Sequence, residues 1–194
     1  MSDEAIRELV RENPGQATYE EYKLVHDVVL RRAPCAMLVF GVGRDSSLWL
    51  DANRGGRTVF LEDVAEWAAF AREAVPGIEV HDVTYGTLRV FWPILKHFEE
   101  RLWMDALPGD VADTAWDVIL VDAPRGTRWY RAGRMKSIYT ASVLARERAT
   151  GGEGGADVFV HDCHRRVERE ASDRFLGAER LAAEAGSMRH YRLD

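Results

Sequence analysis

The chain has 194 residues, of which 46% are hydrophobic and 30% charged. That is ordinary for a folded domain large enough to bury its own core, and it excludes collagen, a disulfide scaffold and disorder along the whole chain. The net charge of −6 carries no global basic footprint, so a nucleic acid is not an expected partner.

In chain order, Tyr19 to Arg32 reads as a helix, because Tyr22, Val25, Val28 and Val29 share one face. Pro34 closes it. Cys35-Ala-Met-Leu-Val-Phe40 is a continuous apolar run, the mark of a strand buried on both faces. It ends in Gly41-Val-Gly43, and a helix opens through Ser47 to Leu50. Arg57 to Leu61 predicts a second strand and Asp63 to Val75 a helix with an acidic cap, stopped by Pro76-Gly77. Ile78 to Val83 is a third strand. Leu88 to Leu107, rich in aromatics and interrupted by Pro93, reads as a helix covering the sheet.

Trp116 to Val121 predicts a fourth strand, Arg134 to Arg148 a helix broken by Gly151-Gly-Glu-Gly-Gly155, and Asp157 to Val160 a fifth strand. Val167 to Gly177 is expected to be helical and Met188 to Leu193 to be a last edge strand. Alternating strands and helices predict an α/β doubly wound, mostly parallel sheet over residues 36–194, with residues 1–35 a helical N-terminal appendage. Cys35 and Cys163 give no disulfide framework. No apolar run approaches the ~20 residues of a membrane span, and Met1 to Asn13 lacks a secretory pattern, so a cytoplasmic protein with no membrane partner is expected.

Such sheets bind ligands beyond the carboxyl ends of their strands. That rule selects Gly41 to Ser46, Glu62-Asp63, Asp82 to Tyr85, Asp122 to Arg134 and His161 to Arg165. Gly41-Val-Gly43-Arg-Asp45-Ser46 after a buried strand lets a ligand approach the backbone closely. Glu62, at the next strand end, can accept both ribose hydroxyls of an adenosine. The pattern alone admits NAD or S-adenosylmethionine. Asp45 leans to the latter, because a carboxylate there repels a pyrophosphate and suits a sulfonium. Asp63 and Asp82 join the cofactor candidates by their strand-end positions.

Asp122 and His161-Asp162 sit at two neighbouring strand ends, where they can deprotonate a hydroxyl or, through Asp122 and Asp162, hold a divalent cation. As turn formers and caps they also have a purely structural reading. Between them run Arg125, Arg128, Arg131 and Arg134 with Trp129 and Tyr130. Guanidinium forks pair with carboxylates and aromatic faces stack on sugars, so the set suits an acidic acceptor.

Five ordered blocks carry a resemblance: Leu38 to Ser46, Gly55 to Glu62, Trp116 to Pro124, Gly133-Arg-Met135 with Ile138 to Ala141, and Val158 to Asp162. Together they resemble the glucuronoxylan 4-O-methyltransferase family, the DUF579 or IRX15-like polysaccharide-biosynthesis proteins of plant cell walls. The resemblance implies a class I S-adenosylmethionine-dependent methyltransferase fold over 36–194, with methyl transfer to O4 of a glucuronic acid. Gly41, Gly43 and Glu62 would hold the cofactor. Asp122, His161 and Asp162 would lie at the reacting hydroxyl, with Arg134 and Tyr139 near the substrate. The order of the two acids also looks like that of metal-dependent catechol-type O-methyltransferases, by fold position only. Plant members usually carry a Golgi anchor, a less basic link before Gly-Arg-Met and an acid near Cys163-His164. These departures leave the cofactor reading intact and admit a small acidic metabolite as well as a saccharide acceptor. The alternatives are an NAD-dependent oxidoreductase or epimerase and a small-molecule N-methyltransferase.

Overall fold

A computed structural model describes residues 3–151 and 154–194. Its parallel strands are β1 (Ala36–Phe40), β2 (Arg57–Glu62), β3 (Glu79–Asp82), β4 (Val118–Val121) and β5 (Ala156–Val160), followed by β6 (Leu181–Ala185) and the antiparallel β7 (Met188–Leu193). They form one seven-stranded sheet in the order β3-β2-β1-β4-β5-β7-β6. The chain reverses direction across the sheet between β1 and β4, and the doubly wound expectation holds.

Side chains alternate along each strand, and both faces are covered. Met37 and Val39 of β1, Phe60 of β2 and Phe159 of β5 enter one apolar cluster. Leu38, Phe40, Val59, Leu61 and Val158 enter the other. Burial on both sides is why these strands read as unbroken apolar runs. The first face is packed by α1 (Asp3–Glu12), α2 (Tyr19–Arg32), α3 (Ser46–Ala52) and α4 (Ala65–Ala74), with Ile6, Tyr22, Val25 and Trp49 in the same cluster as the strands. The second face is covered by an irregular segment containing the short α5 (Trp92–Leu95) and α6 (Gly109–Ala112), then by α7 (Met135–Thr150) and α8 (Arg166–Ser172).

Three expectations are corrected. Met188 to Leu193 is an inner strand, because Leu181 to Ala185 forms the edge beyond it. The sequence of β6, with its alternating half-buried and exposed positions, carries too little apolar signal to announce a strand. Leu88 to Leu107 is not one helix but 3-10 turns at Arg89–Phe91 and Glu99–Arg101 around α5. Pro93 is accepted there only in the first turn. Finally, α4 starts at Ala65 after Val64, with no side-chain cap, so Asp63 does not cap it. Part of the glycine-rich break after α7, Gly152-Glu153, lies outside the described residues. Among the described residues no helix is long and apolar enough to cross a membrane.

Candidate active site

The carboxyl ends of β1, β2, β4 and β5 open into a cavity of about 720 Å³. Its floor is the turn after β1. Gly41 has φ 110°, and a Cβ there would come 3.1 Å from Ala123 Cβ, so the β1 and β4 ends can lie this close only with glycine. Ser46 is buried at the start of α3, and its Oγ accepts the Gly43 N–H at 3.1 Å. It shapes the turn without lining the cavity.

Glu62 ends β2 beneath this turn. Its carboxylate accepts the N–H groups of Val42 (2.8 Å), Asp63 (3.0 Å) and Val64 (2.9 Å). Burial pushes its pKa above the ordinary value, and the backbone donors oppose that shift. Oε1 accepts two of these bonds and Oε2 one, so the remaining acceptor capacity lies at Oε2. Asp63, Val64 and Trp67 extend the wall beyond it. Asp45 lines the same space and accepts Trp49 Nε1–H at 3.1 Å. Burial, then the nearby charge of Asp122, raises its pKa to about 6.

The β4 and β5 ends form a charged network. His161 Nδ1 lies 2.8 Å from Asp122 Oδ1. Arg134 Nη2 bridges Asp122 Oδ1 (2.9 Å) and Asp162 Oδ2 (2.6 Å), and Arg165 adds a second contact to Asp162 Oδ2 at 2.8 Å. Asp162 has φ 64°, a left-handed conformation tolerable for aspartate, and the bend turns its side chain back toward Arg134. Behind His161 stands Glu21 of α2, at 3.6 Å from Nε2. The Glu21 carboxylate also accepts the Thr18 N–H and the N–H and Oγ–H of Ser187 in the β6–β7 turn.

Burial disfavours the charged form of His161, but Asp122 and Glu21 outweigh it and push the pKa to about 9. The ring is therefore an imidazolium near neutrality, a donor and not a proton acceptor. Burial also works against the Asp122 carboxylate, but Arg134 and His161 overcome it and hold Asp122 below its ordinary pKa. For Glu21, the bonds from His161, Thr18 and Ser187 likewise outweigh burial and keep it ionised.

The cavity thus gathers Gly41, Gly43, Asp45, Glu62, Asp63, Asp122, Arg125, Arg134, His161 and Asp162. Besides Ser46, three candidates lie elsewhere. Asp82 is exposed and paired with Arg72 at 2.8 Å, because β3 ends at the sheet's edge. Tyr130 is exposed at the outer side of its loop, edge-on to Trp129. Tyr139 sits on the core-facing side of α7, its ring 5.1 Å from that of Phe175. Glu21 and Trp49 were not anticipated, and Arg165 only as the end of the strand-end stretch His161 to Arg165. Thr18-x-x-Glu21 is a capping box, whose reciprocal bonds are both made, and that helix-start signature conceals the second role of Glu21.

Asp122, His161 and Asp162 offer ligand atoms within 4.8 Å of one another, the donor set that a divalent cation would need. Asp122 Oδ1 and Asp162 Oδ2 are already held by the Arg134 guanidinium, and both ring nitrogens of His161 face carboxylates, Asp122 at 2.8 Å and Glu21 at 3.6 Å. As arranged, these residues do not fit a resident divalent cation. An adenosine-bearing sulfonium fits better, with a glycine floor, an acid at the β2 end and Asp45 and Asp122 facing the same space.

This strand order, with an acid at the end of β2 and a ligand cavity over β1 and β4, defines the class of S-adenosylmethionine-dependent methyltransferases. A methyltransferase-like protein from Silicibacter pomeroyi matches over 92% of this chain and 87% of its own, with a TM-score of 0.54 and 14% identity. A caffeoyl-CoA O-methyltransferase candidate from Staphylococcus aureus matches over 100% and 92%, with a TM-score of 0.59 and 11% identity. At that identity both speak for the fold alone. The chain belongs to the IRX15/IRX15L/GXM family, whose model matches residues 20–91 and 93–191. Glucuronoxylan 4-O-methyltransferase 2 of Arabidopsis thaliana is 38% identical over all of this chain and 71% of that protein. Protein IRX15-LIKE of the same plant is 40% identical over 91% of this chain and 62% of its own length. Arabinogalactan O-methyltransferase 2, also from Arabidopsis thaliana, is 34% identical over 92% and 67%.

Proposed function

We propose that this protein transfers a methyl group from S-adenosylmethionine to a hydroxyl of an acidic saccharide. The relatives named for glucuronoxylan and arabinogalactan O-methylation support a saccharide acceptor. The observation that carries the acidity is Arg134. One nitrogen of its buried guanidinium binds both catalytic carboxylates, while Nε and Nη1 have no partner among the described residues. Both nitrogens are sealed from solvent, so what the cavity offers an incoming carboxylate is the positive charge of Arg134 together with Arg125 on the same wall.

When bound, the cofactor supplies a methyl group made electrophilic by a positively charged sulfur. Gly41, Gly43 and Glu62 would hold its nucleoside, and Asp45 would favour its positive charge. Asp122 is the base. Its Oδ1 is occupied by His161 and Arg134, whereas no partner of Oδ2 is found among the described residues. Its side chain is also the more accessible of the two acids, at 36% against 11% for Asp162. His161 and Arg134 fix the Asp122 carboxylate, and Asp162 with Arg165 fixes Arg134. Asp122 Oδ2 would accept the proton of the acceptor hydroxyl as its oxygen takes the methyl group, the methyl–sulfur bond breaking and a neutral thioether leaving. Neither NAD chemistry nor N-methylation is favoured by these relatives.

Incubation with labelled S-adenosylmethionine and a panel of uronate oligosaccharides and small hydroxy acids, read by mass spectrometry, tests this. A methyl ether on a uronate-bearing saccharide is expected. Transfer to small hydroxy acids alone, or to nothing, contradicts the saccharide reading.

A further inference from the structure

A second cavity, of about 290 Å³, lies on the outer side of the loop that walls the first. Arg125, Gly126 and Thr127 face the large cavity, and Trp129 of the same loop faces the small one. The far wall of the small cavity comes from the irregular segment after β3 and from α8. The loop and that segment are fastened together. Arg89 N–H donates to Arg131 O at 2.8 Å and Val90 N–H to Trp129 O at 3.2 Å, while Arg89 Nη1 reaches Gly126 O at 2.8 Å.

This surface is unusual in two ways. Among the described residues, seven of the nine exposed large hydrophobic side chains fall in these two segments: Leu88, Val90, Phe91, Ile94, Phe98, Trp129 and Tyr130. Trp129 is the most open, at 66%. The cavity is also basic. Arg89, Lys96 and Arg166 line it against a single carboxylate, Glu170, which is already committed to Trp92 Nε1–H (2.9 Å) and Arg166 Nε–H (2.6 Å). Lys96 has no ion pair among the described residues, and Arg89 Nε is buried without a partner.

We infer that this cavity is a second saccharide subsite, which holds a uronate-bearing stretch of the acceptor chain beyond the sugar that is methylated. The inference rests on the saccharide reading above. An aromatic face that stays open to water suits the apolar face of a sugar ring, and Lys96, which has no ion pair among the described residues, suits its carboxylate. A partner protein would equally use the aromatics. The interleaved cations and the loop shared with the acceptor cavity favour a continuous acidic chain.

Direct binding tests it, using glucuronate-substituted xylo-oligosaccharide, neutral xylo-oligosaccharide of equal length and polyglutamate as probes, with the intact protein and the surface variants Trp129→Ala and Lys96→Glu. The acidic saccharide is expected to bind about tenfold tighter than the neutral one, and each variant to weaken it about fivefold or more. In turnover, the variants are expected to raise KM for the long acceptor, leaving kcat and the KM of a single-uronate acceptor unchanged. Unchanged binding in both variants, or polyglutamate binding as tightly as the saccharide, overturns the subsite. If the variants lose saccharide binding but no saccharide is ever methylated, the subsite stands and the functional reading falls. If methylation of long and short acceptors is equally intact in both variants, the reverse holds.

Discussion

The two halves of the large cavity are built by different means. Beneath β1 and β2 the work is done by backbone: a glycine turn, three N–H groups on Glu62, and the Ser46 hydroxyl closing the bend. Across β4 and β5 it is done by charge, with Asp122, Asp162, Glu21, His161, Arg134 and Arg165 linked in one network. Backbone recognition suits a ligand part that never varies, such as a nucleoside. A charged network suits the place where a proton moves, since each member sets the protonation state of the next.

If the halves are separate in function, substitutions should divide cleanly between them. The largest expected effect is on the charged side. Asp122→Asn should lower kcat by about 10²–10⁴-fold while leaving cofactor affinity nearly intact. Steady-state kinetics beside calorimetry checks this, and undiminished turnover would remove Asp122 as the base.

Next comes the linkage of His161 to stability. Its pKa is about 9 in the folded protein against an ordinary value of 6.5. Raised on folding, it contributes stability that is fully present below about pH 6.5 and is lost as pH climbs through 9, on the order of 3 kcal/mol in all. Denaturant melts across that range should show the decline, and His161→Gln should flatten it. A native curve as flat as the variant's would mean that the imidazolium is not held as described.

The smallest effect probes the backbone side. Asp45, with a pKa of about 6, must be ionised to favour a cationic cofactor. Binding of S-adenosylmethionine should therefore weaken by about tenfold as pH falls from 7 to 5, with the bound cation holding the carboxylate ionised. Asp45→Asn should bind more weakly at pH 7 and lose that slope. A slope that survives the substitution would assign the titration to another group.

The same contrast explains what the sequence made legible. Gly41, Gly43 and Glu62 are joined by short-range rules, a turn after a buried strand and an acid at the next strand end, and those rules can be read from residue order. Asp122 and His161-Asp162 were also accessible, because strand ends in a parallel sheet converge. Glu21 was not. It reaches His161 only after α2 has packed on the sheet and the β6–β7 turn has bound its carboxylate. Asp82 and Tyr139 were misread for the same reason in reverse. Strand-end and helix positions are visible in a sequence, but the edge place of β3 and the rotational setting of α7 come from packing.

Everything above depends on a nucleoside-sulfonium being gripped from the β2 end. Calorimetric titration of S-adenosylmethionine into the intact protein and into Glu62→Ala addresses this most directly. The intact protein should bind with one site per chain, and removing the carboxylate should weaken binding by about 10–100-fold, the worth of one or two charge-assisted hydrogen bonds. Equal affinity in the two proteins, or no binding by the intact one, would contradict it.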